Sequence, residues 1–196
     1  TSSLFCSGGN TDLTVQGGPL GTGVAWQWYE GSCGSGLPIN TGSTINVSPT
    51  ITTTYYVRSE GECDTSTCLN VTITVDQFST DPVSITPSSA NICLGQSAVL
   101  TIDGGSLGTA ANWEWYQGSC GGSYIGSGNT IGVTPGVTTT YFARAEGVCG
   151  NTICLSQTIT VGVGAADPTS ASLSVNNICP GDTTELSVTG PVLAPG

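Results

Sequence analysis

The feature that most constrains the fold is an internal repeat of 86–87 residues. Cys6, Cys93 and Cys179 follow one another at intervals of 87 and 86 residues, and the segment TTTYYVRSEGEC, residues 52–63, returns as TTTYFARAEGVC, residues 138–149. All four tryptophans lie in two further copies, WQWYEGSC and WEWYQGSC. Self-similarity at a fixed period predicts tandem copies of one structural unit.

The unit boundaries are placed at an Asp-Pro pair that occurs at 81–82 and again at 167–168. The predicted units are 1–80, 81–166 and 167–196. The first unit lacks most of its opening strand, and the third keeps step with the others up to Leu193 but ends before its tryptophan phrase. We therefore interpret the chain as a segment of a longer array of repeats.

The hydrophobic pattern within each unit is typical of strands. Leu69, Val71, Ile73 and Val75 alternate with polar residues at the period of 2 expected for half-buried strands. Turn segments such as GGPLGTG and GSCGSG separate the runs, which favours a β-sandwich. The seven strands predicted for the second unit lie near 82–87, 95–103, 111–117, 123–126, 129–134, 138–146 and 153–161. An odd number of antiparallel strands sends the chain in at one end and out at the other, so tandem units are expected to form an end-to-end rod.

The tryptophans are predicted to be core residues. Trp26 and Trp28 are two apart on a strand and point to one face, whereas Gln27 and Tyr29 point to the other. A buried tryptophan on this strand anchors immunoglobulin-like sandwiches. The alternative is a sugar-binding platform. The predicted core aromatics are Trp26, Trp28, Trp113, Trp115, Tyr55 and Tyr141.

The outward face of the same strands carries the residues predicted to make surface contacts. These are Tyr29, Tyr56, Arg58, Tyr116, Phe142 and Arg144. The two arginines are the only cations in the chain. Each is interpreted either as a ligand-binding residue or as a side chain that stacks on an aromatic ring and pairs with a nearby glutamate, Glu60 or Glu146.

The nine cysteines, in a chain rich in Gly, Ser and Thr, indicate disulfides formed in an oxidising compartment. Strand direction places the first two cysteines of a unit at one end of the sandwich and the other two at the opposite end. The predicted bonds are Cys6–Cys33, Cys63–Cys68, Cys93–Cys120 and Cys149–Cys154, with Cys179 unpaired in this chain. Two pairs at opposite ends argue against the alternative of a Cys₄ zinc site.

Composition excludes several functional classes. A net charge of −11 with no Lys disfavours nucleic acid as a partner. The absence of His removes the usual general base, so no catalytic residues are assigned and the chain is predicted not to be an enzyme. No apolar stretch is long enough to insert into a membrane. No cofactor is expected, and calcium between units, at Asp76 and Asp81, is the minor alternative.

The pattern ICxG…LTVxGGxLGTxAxWxWYxGSCGG…IxVxPxxTTTYYxRxEGxCxxTxC resembles the immunoglobulin-like repeats of very large secreted surface proteins of Bacteroidota. These include adhesins and gliding-associated proteins exported by the type IX system. The resemblance implies an extracellular or cell-surface array that projects, adheres or builds a filament, and it implies no catalytic residues.

Two functions follow as competing expectations. The first is a structural or adhesive stalk or filament whose partners are neighbouring repeats or copies of itself; residues 167–196 either begin a further repeat or complete another subunit by strand donation. The second is an array of carbohydrate-binding modules for surface polysaccharide. That function requires exposed aromatic residues, for which Tyr29, Tyr56, Tyr116 and Phe142 are the candidates.

Overall fold

The computed structural model describes residues 5–164 and 167–190, and every regular element in those ranges is a β-strand. The strands are β1 (Thr11–Thr14), β2 (Ala25–Glu30), β3 (Asn40–Thr41), β4 (Thr44–Val47), β5 (Thr53–Glu60), β6 (Leu69–Ile73), β7 (Ser84–Pro87), β8 (Asn91–Cys93), β9 (Ala98–Asp103), β10 (Asn112–Gln117), β11 (Ser123–Ser127), β12 (Thr130–Val133), β13 (Thr139–Gly147), β14 (Gly150–Asn151), β15 (Leu155–Gly162), β16 (Ser170–Leu173) and β17 (Leu186–Thr189). The predicted all-β, sandwich-like fold is confirmed.

The chain divides into two compact units by its internal contacts. Unit 1 consists of Thr1–Val83, Gly104–Glu114 and Arg144–Ile153. Unit 2 consists of Ser84–Asp103, Trp115–Ala143 and Cys154–Gly196.

Unit 1 contains a two-stranded sheet, β1–β4, and a four-stranded sheet with the order β3-β2-β5-β6. Leu13 lies opposite Ile45 in the first sheet, and Trp28 lies opposite Val57 in the second. These four side chains are buried together with Val47 and Tyr55 in one hydrophobic cluster. The inward face follows directly from the period of 2, because alternate residues of β5 are buried.

Unit 2 contains a three-stranded sheet with the order β12-β9-β7. Its central strand, β9, alternates buried Ala98, Leu100 and Ile102 with more exposed residues. Of its remaining strands, β8, β11 and β15 belong to a sheet with the order β11-β10-β13-β15-β8, in which β14 pairs with β13. Leu100, Trp115 and Ile159 are the largest side chains of the described structure that are completely buried.

The number of strands differs from the predicted seven. Nine strands lie between Ser84 and Gly162, and the pattern does not predict β8 and β14. β7 pairs with β9 as far as Pro87, and β8 then pairs in parallel with β15. The chain therefore changes sheets between β7 and β8, after the Ser88 N–H has donated to the Val99 carbonyl at 2.7 Å.

Residues 167–190 contain a short antiparallel pair formed by β16 and β17. Ser170 lies opposite Thr189, and Leu173 lies opposite Leu186. Leu173 is 50% exposed and Leu186 is 79% exposed, so neither apolar side chain has the cover that its counterparts have in β7 and β9.

Candidate functional site

The second tryptophan of each phrase is fixed in the same way. Trp28 is 2% exposed and Trp115 is 0% exposed. The indole Nε1–H of Trp28 donates to the Gly42 carbonyl at 2.9 Å, and that of Trp115 donates to the Gly128 carbonyl at 2.8 Å. Both glycines have positive φ, at 111° and 115°, a conformation that side chains disfavour. Each tryptophan is thus locked between the core and a glycine turn, and neither presents a face to a ligand.

The first tryptophan of each phrase differs between the two copies. Trp113 is 5% exposed, whereas Trp26 is only partly buried against the edge of its core cluster. In unit 1 the ring of Trp113 lies near Gly105, where an added Cβ would meet the Trp113 ring at 3.0 Å and the carbonyl oxygens of Thr80 and Asp81 at 2.9 Å. Trp26 is therefore the most accessible of the predicted core aromatics, since Tyr55 and Tyr141 are each 4% exposed.

A polar cluster on the outer face of the sheet joins Tyr29, Arg58 and Glu60. The Tyr29 hydroxyl donates to Glu60 Oε1, and Arg58 Nε donates to the same oxygen at 2.7 Å. The Arg58 guanidinium carbon lies 5.3 Å from the centre of the Tyr29 ring. The arginine therefore stacks on an aromatic ring and pairs with the neighbouring glutamate, which is the second of the two interpretations given for it.

The electrostatics of this cluster follow from its hydrogen bonds. The hydrogen bond from Tyr29, followed by the one from Arg58, lowers the pKa of the Glu60 carboxyl below its ordinary value. The hydrogen bond to Glu60, followed by burial, raises the pKa of the Tyr29 hydroxyl. In the second copy, Arg144 Nε donates to Glu146 Oε1 at 2.8 Å.

The loop after β2 folds back over this cluster. Gly31 and Gly34 both have positive φ, and the Gly31 N–H donates to the Thr54 carbonyl at 2.9 Å. A Cβ added to Gly34 would lie 2.5 Å from the Arg58 guanidinium, so the loop backbone rests directly on that group. Only glycine permits both the turn and this close approach.

The folded-back loop corrects the predicted cysteine pairing. Cys33 is bonded to Cys68, and Cys120 is bonded to Cys154, so the predicted Cys6–Cys33, Cys63–Cys68, Cys93–Cys120 and Cys149–Cys154 bonds are wrong. Because β6 begins at Leu69, opposite Val57, Cys68 lies beside the middle of β5 and not beyond its end. The loop brings Cys33 back to that point. Cys63 and Cys93 are unpaired and exposed, as is Cys179.

The exposure of the predicted surface aromatics differs from the prediction. Tyr29 is 3% exposed and Tyr116 is 8% exposed, so they are buried and do not form the outward contacts predicted for them. Tyr56 and Phe142 are half-buried. Tyr124, 59% exposed, packs edge-on against Tyr116 with ring centres 6.0 Å apart, but leucine stands at its position in the first copy. The predicted residues therefore form no exposed aromatic platform repeated in both copies.

The third disulfide joins the two copies of the repeat and was not predicted. Cys6 is bonded to Cys149, 143 residues away, and both lie in unit 1. Cys6 forms a parallel bridge with Asp76, which places it beside the segment that leaves the first repeat. Cys149 lies in the turn between β13 and β14 of the second repeat. No spacing rule within one repeat finds this bond, because its partners belong to different repeats.

The connecting segment is also held by hydrogen bonds within unit 1. The Gln77 backbone exchanges two bonds with Thr109, at 2.9 and 3.0 Å, and its side-chain amide donates to the Thr50 carbonyl at 3.0 Å. The Gly108 N–H donates to Ser79 Oγ at 3.0 Å, and a Cβ added to Gly108 would lie 2.1 Å from the Gln77 carbonyl oxygen. The segment is therefore packed and paired on both sides.

Equivalent open clefts occur beside the turn that precedes β5 and the turn that precedes β13. One cleft, of about 470 Å³, is lined by β4 and the turn around Pro49, and the other, of about 500 Å³, by β12 and the turn around Pro135. Glu30 lines the first and Gln117 the second, so the one acidic group is not shared. The clefts have the size of a small-ligand site but no repeated set of convergent polar side chains.

Residues 5–164 and 167–190 contain neither a metal-binding cluster nor a membrane-spanning helix. Within these residues no three His, Cys, Asp or Glu side chains come together as a metal site. Asp81, one of the two proposed calcium ligands, accepts a hydrogen bond from the Ile153 N–H at 3.0 Å. The same part of the chain contains no helix with the length and apolarity needed to cross a membrane.

Comparisons with known proteins place this geometry in context. A family model described as "Ig-like domain CHU_C associated" matches residues 1–76 and again residues 80–163. No curated protein matches the chain. A three-domain immunoglobulin fragment of titin is similar over 96% of this chain and 72% of its own, with 14% identity and a TM-score of 0.52. At this identity the likeness shows the fold alone.

Two other solved structures are similar at lower TM-scores. Murine CEACAM1b matches 82% of this chain and 95% of its own, with 16% identity and a TM-score of 0.49. The N-terminal four Ig domains of Dscam1 match 80% of this chain with 13% identity and a TM-score of 0.43, and the chain spans 42% of that Dscam1 structure.

Proposed function

Because the chain belongs to the family described as Ig-like domain CHU_C associated, we propose that it is an extracellular structural or adhesive repeat protein that forms part of a cell-surface stalk or filament. The observation that carries the proposal is the Cys6–Cys149 bond, which joins one repeat to the next across 143 residues. A single binding domain has no junction between repeats to hold, whereas an array gains a covalent restraint at each junction.

The proposed location is outside the cell. Disulfides persist in oxidising surroundings such as the cell surface, and six of the nine cysteines are bonded in the described structure. The proposed setting is a large secreted surface protein of the type found in Bacteroidota and exported by the type IX system. The repeats 1–80, 81–166 and 167–196 then stand end to end as a rod, and the partners are adjoining repeats or further copies of the chain.

Carbohydrate binding is the competing function, and the exposure of the aromatic residues weighs against it. A polysaccharide platform requires flat, accessible rings, whereas Tyr29 and Tyr116 are buried and Tyr56 and Phe142 are half-buried. The phenol of Tyr29 is also bonded to Glu60. No catalytic role is proposed for any residue.

Electron microscopy of native material, at neutral pH and without reductant, tests the proposal. The expected result is extended particles whose length increases in steps of one repeat. Compact particles that bind a surface polysaccharide, and that lose the binding but not the stability on Tyr56→Ala, would replace the structural function with the carbohydrate-binding one. Tyr124→Ala is the control, because Tyr124 is an exposed aromatic whose counterpart in the first repeat is Leu37 and which therefore forms no repeated platform.

A further inference from the structure

Three cysteines of the described structure, Cys63, Cys93 and Cys179, are unpaired and exposed. Their positions in the repeat are not random. Cys93 and Cys179 stand where Cys6 stands in the first repeat, and Cys63 stands where Cys149 stands in the second. Since Cys6 and Cys149 are bonded to each other, the unpaired cysteines are the unmatched halves of the same kind of bond.

The backbone around Cys93 repeats the backbone around Cys6. Cys6 bridges Asp76 in parallel, and the Ser7 N–H donates to the Asp76 carbonyl at 2.9 Å. Cys93 lies opposite Gly162 in the same parallel arrangement, and the Leu94 N–H donates to the Gly162 carbonyl at 3.2 Å. The carbonyls of Cys6, Cys93 and Cys179 each accept a bond at 3.0 Å from the N–H three residues later. The three cysteines are therefore structural equivalents.

The turn around Cys63 likewise repeats the turn around Cys149. Glu60 bridges Thr65, and Glu146 lies opposite Asn151 at the corresponding position. The Ser66 N–H donates to the Ser59 carbonyl at 3.0 Å, as the Thr152 N–H does to the Ala145 carbonyl. Cys63 thus has the setting in which Cys149 is bonded to a preceding repeat.

The connection that follows each repeat has the same length. Asp76 and Gly162 are each followed five residues later by the aspartate of the Asp-Pro pair. Gly162 lies opposite Cys93 as Asp76 lies opposite Cys6. The linker from Gly162 to the following repeat therefore has the same length as the linker from Asp76 to the second repeat. With no Lys in the sequence, cross-links through a side-chain amine cannot form.

We propose that Cys93 and Cys63 are the two halves of a repeat-to-repeat disulfide: Cys93 bonds the turn cysteine of a following repeat, and Cys63 bonds the first cysteine of a preceding one. Each bond joins one first-position thiol to one turn thiol. The partner thiol belongs to an adjoining repeat of a longer polypeptide or to a second copy of this chain. This inference rests on the Cys6–Cys149 bond and not on the proposed function.

The bond forms by thiol–disulfide exchange. Each of the two thiols gives up one proton and one electron as the S–S bond forms, and the disulfide of oxidised glutathione breaks to give two molecules of reduced glutathione. The first thiolate attacks glutathione disulfide to give a mixed disulfide, and the second thiolate then displaces glutathione from it. The exposure of both cysteines makes them accessible to this exchange.

The test uses the chain as it stands, incubated without and with a buffer of oxidised and reduced glutathione. After alkylation and cleavage at aromatic and acidic residues, linked peptides are identified by mass spectrometry beside a denaturing gel without reductant. The expected result is a ladder of oligomers in which Cys63 of one copy is linked to Cys93 or Cys179 of another. Random pairing of three thiols would make such links less than half of the total.

Variants assign the bond to its residues. Cys63→Ser is expected to abolish the ladder, whereas Cys93→Ser is expected to leave a ladder in which every link is Cys63–Cys179. Cys6→Ser frees Cys149, the counterpart of Cys63, and is expected to add Cys149–Cys93 links. Symmetric Cys63–Cys63 and Cys93–Cys93 links at random abundance, a ladder that survives Cys63→Ser, or monomers that carry only glutathione would overturn the proposal.

The same peptide mapping on material from the producing cell distinguishes the two sources of the partner thiol. A bond to an adjoining repeat leaves the mass of the polypeptide unchanged on the denaturing gel, and a bond between copies adds a second chain. Alkylated, unbonded Cys63 and Cys93 in that material would refute the proposal. Compact particles in microscopy would refute the proposed function instead, and each can therefore fail without the other.

Discussion

The double variant Cys6→Ser/Cys149→Ser is expected to lower the free energy of unfolding by about 5 kcal/mol, on the chain-entropy account of a disulfide. The loop that the bond closes contains 143 residues. The Cys33–Cys68 bond, which closes 35 residues, bypasses part of that loop. Because the entropy depends on the logarithm of the loop length, the shorter path still gives about 5 kcal/mol, against about 4 kcal/mol for Cys33–Cys68 itself. Replacing both cysteines avoids leaving a new thiol.

Urea unfolding followed by tryptophan fluorescence, without reductant, measures the effect. Two of the four tryptophans lie in each repeat, so both repeats contribute to the signal. The variant is expected to unfold at a lower midpoint and with a larger m-value, because an unlinked unfolded chain exposes more surface. Cys179→Ser, which removes an unpaired and exposed cysteine, is the control and is expected to leave the midpoint unchanged.

A loss below about 1 kcal/mol, far under the value expected for a closed loop of this length, would refute the reasoning. It would mean that the two cysteines are not bonded in solution or that the unfolded chain is already compact. Peptide mapping of the unmodified chain separates these two causes, since only the first predicts alkylated Cys6 and Cys149.

Three further predictions, each with a comparison variant, test the core and the polar cluster. Trp115→Ala is expected to cost about 3–5 kcal/mol of stability, because it removes a large buried side chain. Trp115→Phe loses the hydrogen bond to Gly128 but keeps an aromatic ring in the core, so it is expected to cost less. A neutral result for Trp115→Ala in chemical unfolding would contradict the core role. Glu60 has a lowered pKa, so its stabilising contribution is complete above the ordinary value of 4.5 and is lost as pH falls through the folded-state value. Glu60→Gln is therefore expected to flatten the fall of the unfolding midpoint at pH values below 4.5. Glu62→Gln, at an exposed position, is the control and is expected to leave that fall unchanged. Gly34→Ala is expected to destabilise the chain more than Gly36→Ala. Both glycines have positive φ, but only at position 34 would the added Cβ meet the Arg58 guanidinium. Equal urea midpoints for the two variants would show that this contact is unimportant.

The strands and the inward face were accessible from the sequence because both depend on local periodicity. Alternating residues in the TTTYY segments place Tyr55 and Tyr141 inward, and each is 4% exposed. The alternation of side chains also predicts that Tyr29 lies on the outer face, and Tyr29 is not part of the core cluster. Periodicity says which face a side chain is on, but not what covers that face.

Two of the errors, the exposure of Tyr29 and the partner of Cys33, share one physical cause, the loop after β2. Its course depends on left-handed glycines and on the contact between Gly34 and Arg58, which are tertiary features. Once the loop folds back, it buries Tyr29 and brings Cys33 to Cys68. The Cys6–Cys149 bond could not be predicted for a different reason. Strand direction within one repeat carries no information about the neighbouring repeat, and this bond joins two repeats.

The bond between Cys6 and Cys149 also decides how the chain responds to a pull on its two ends. The load enters at the first residues, crosses the bond from Cys6 to Cys149, and leaves through the residues that follow, so that most of both sandwiches lies outside the line of force. At about 3.3–3.6 Å per extended residue, the 143 bypassed residues hold about 500 Å of contour length. While the bond is intact, unfolding under load cannot extend the chain by that length; after a reductant opens the disulfides, it can.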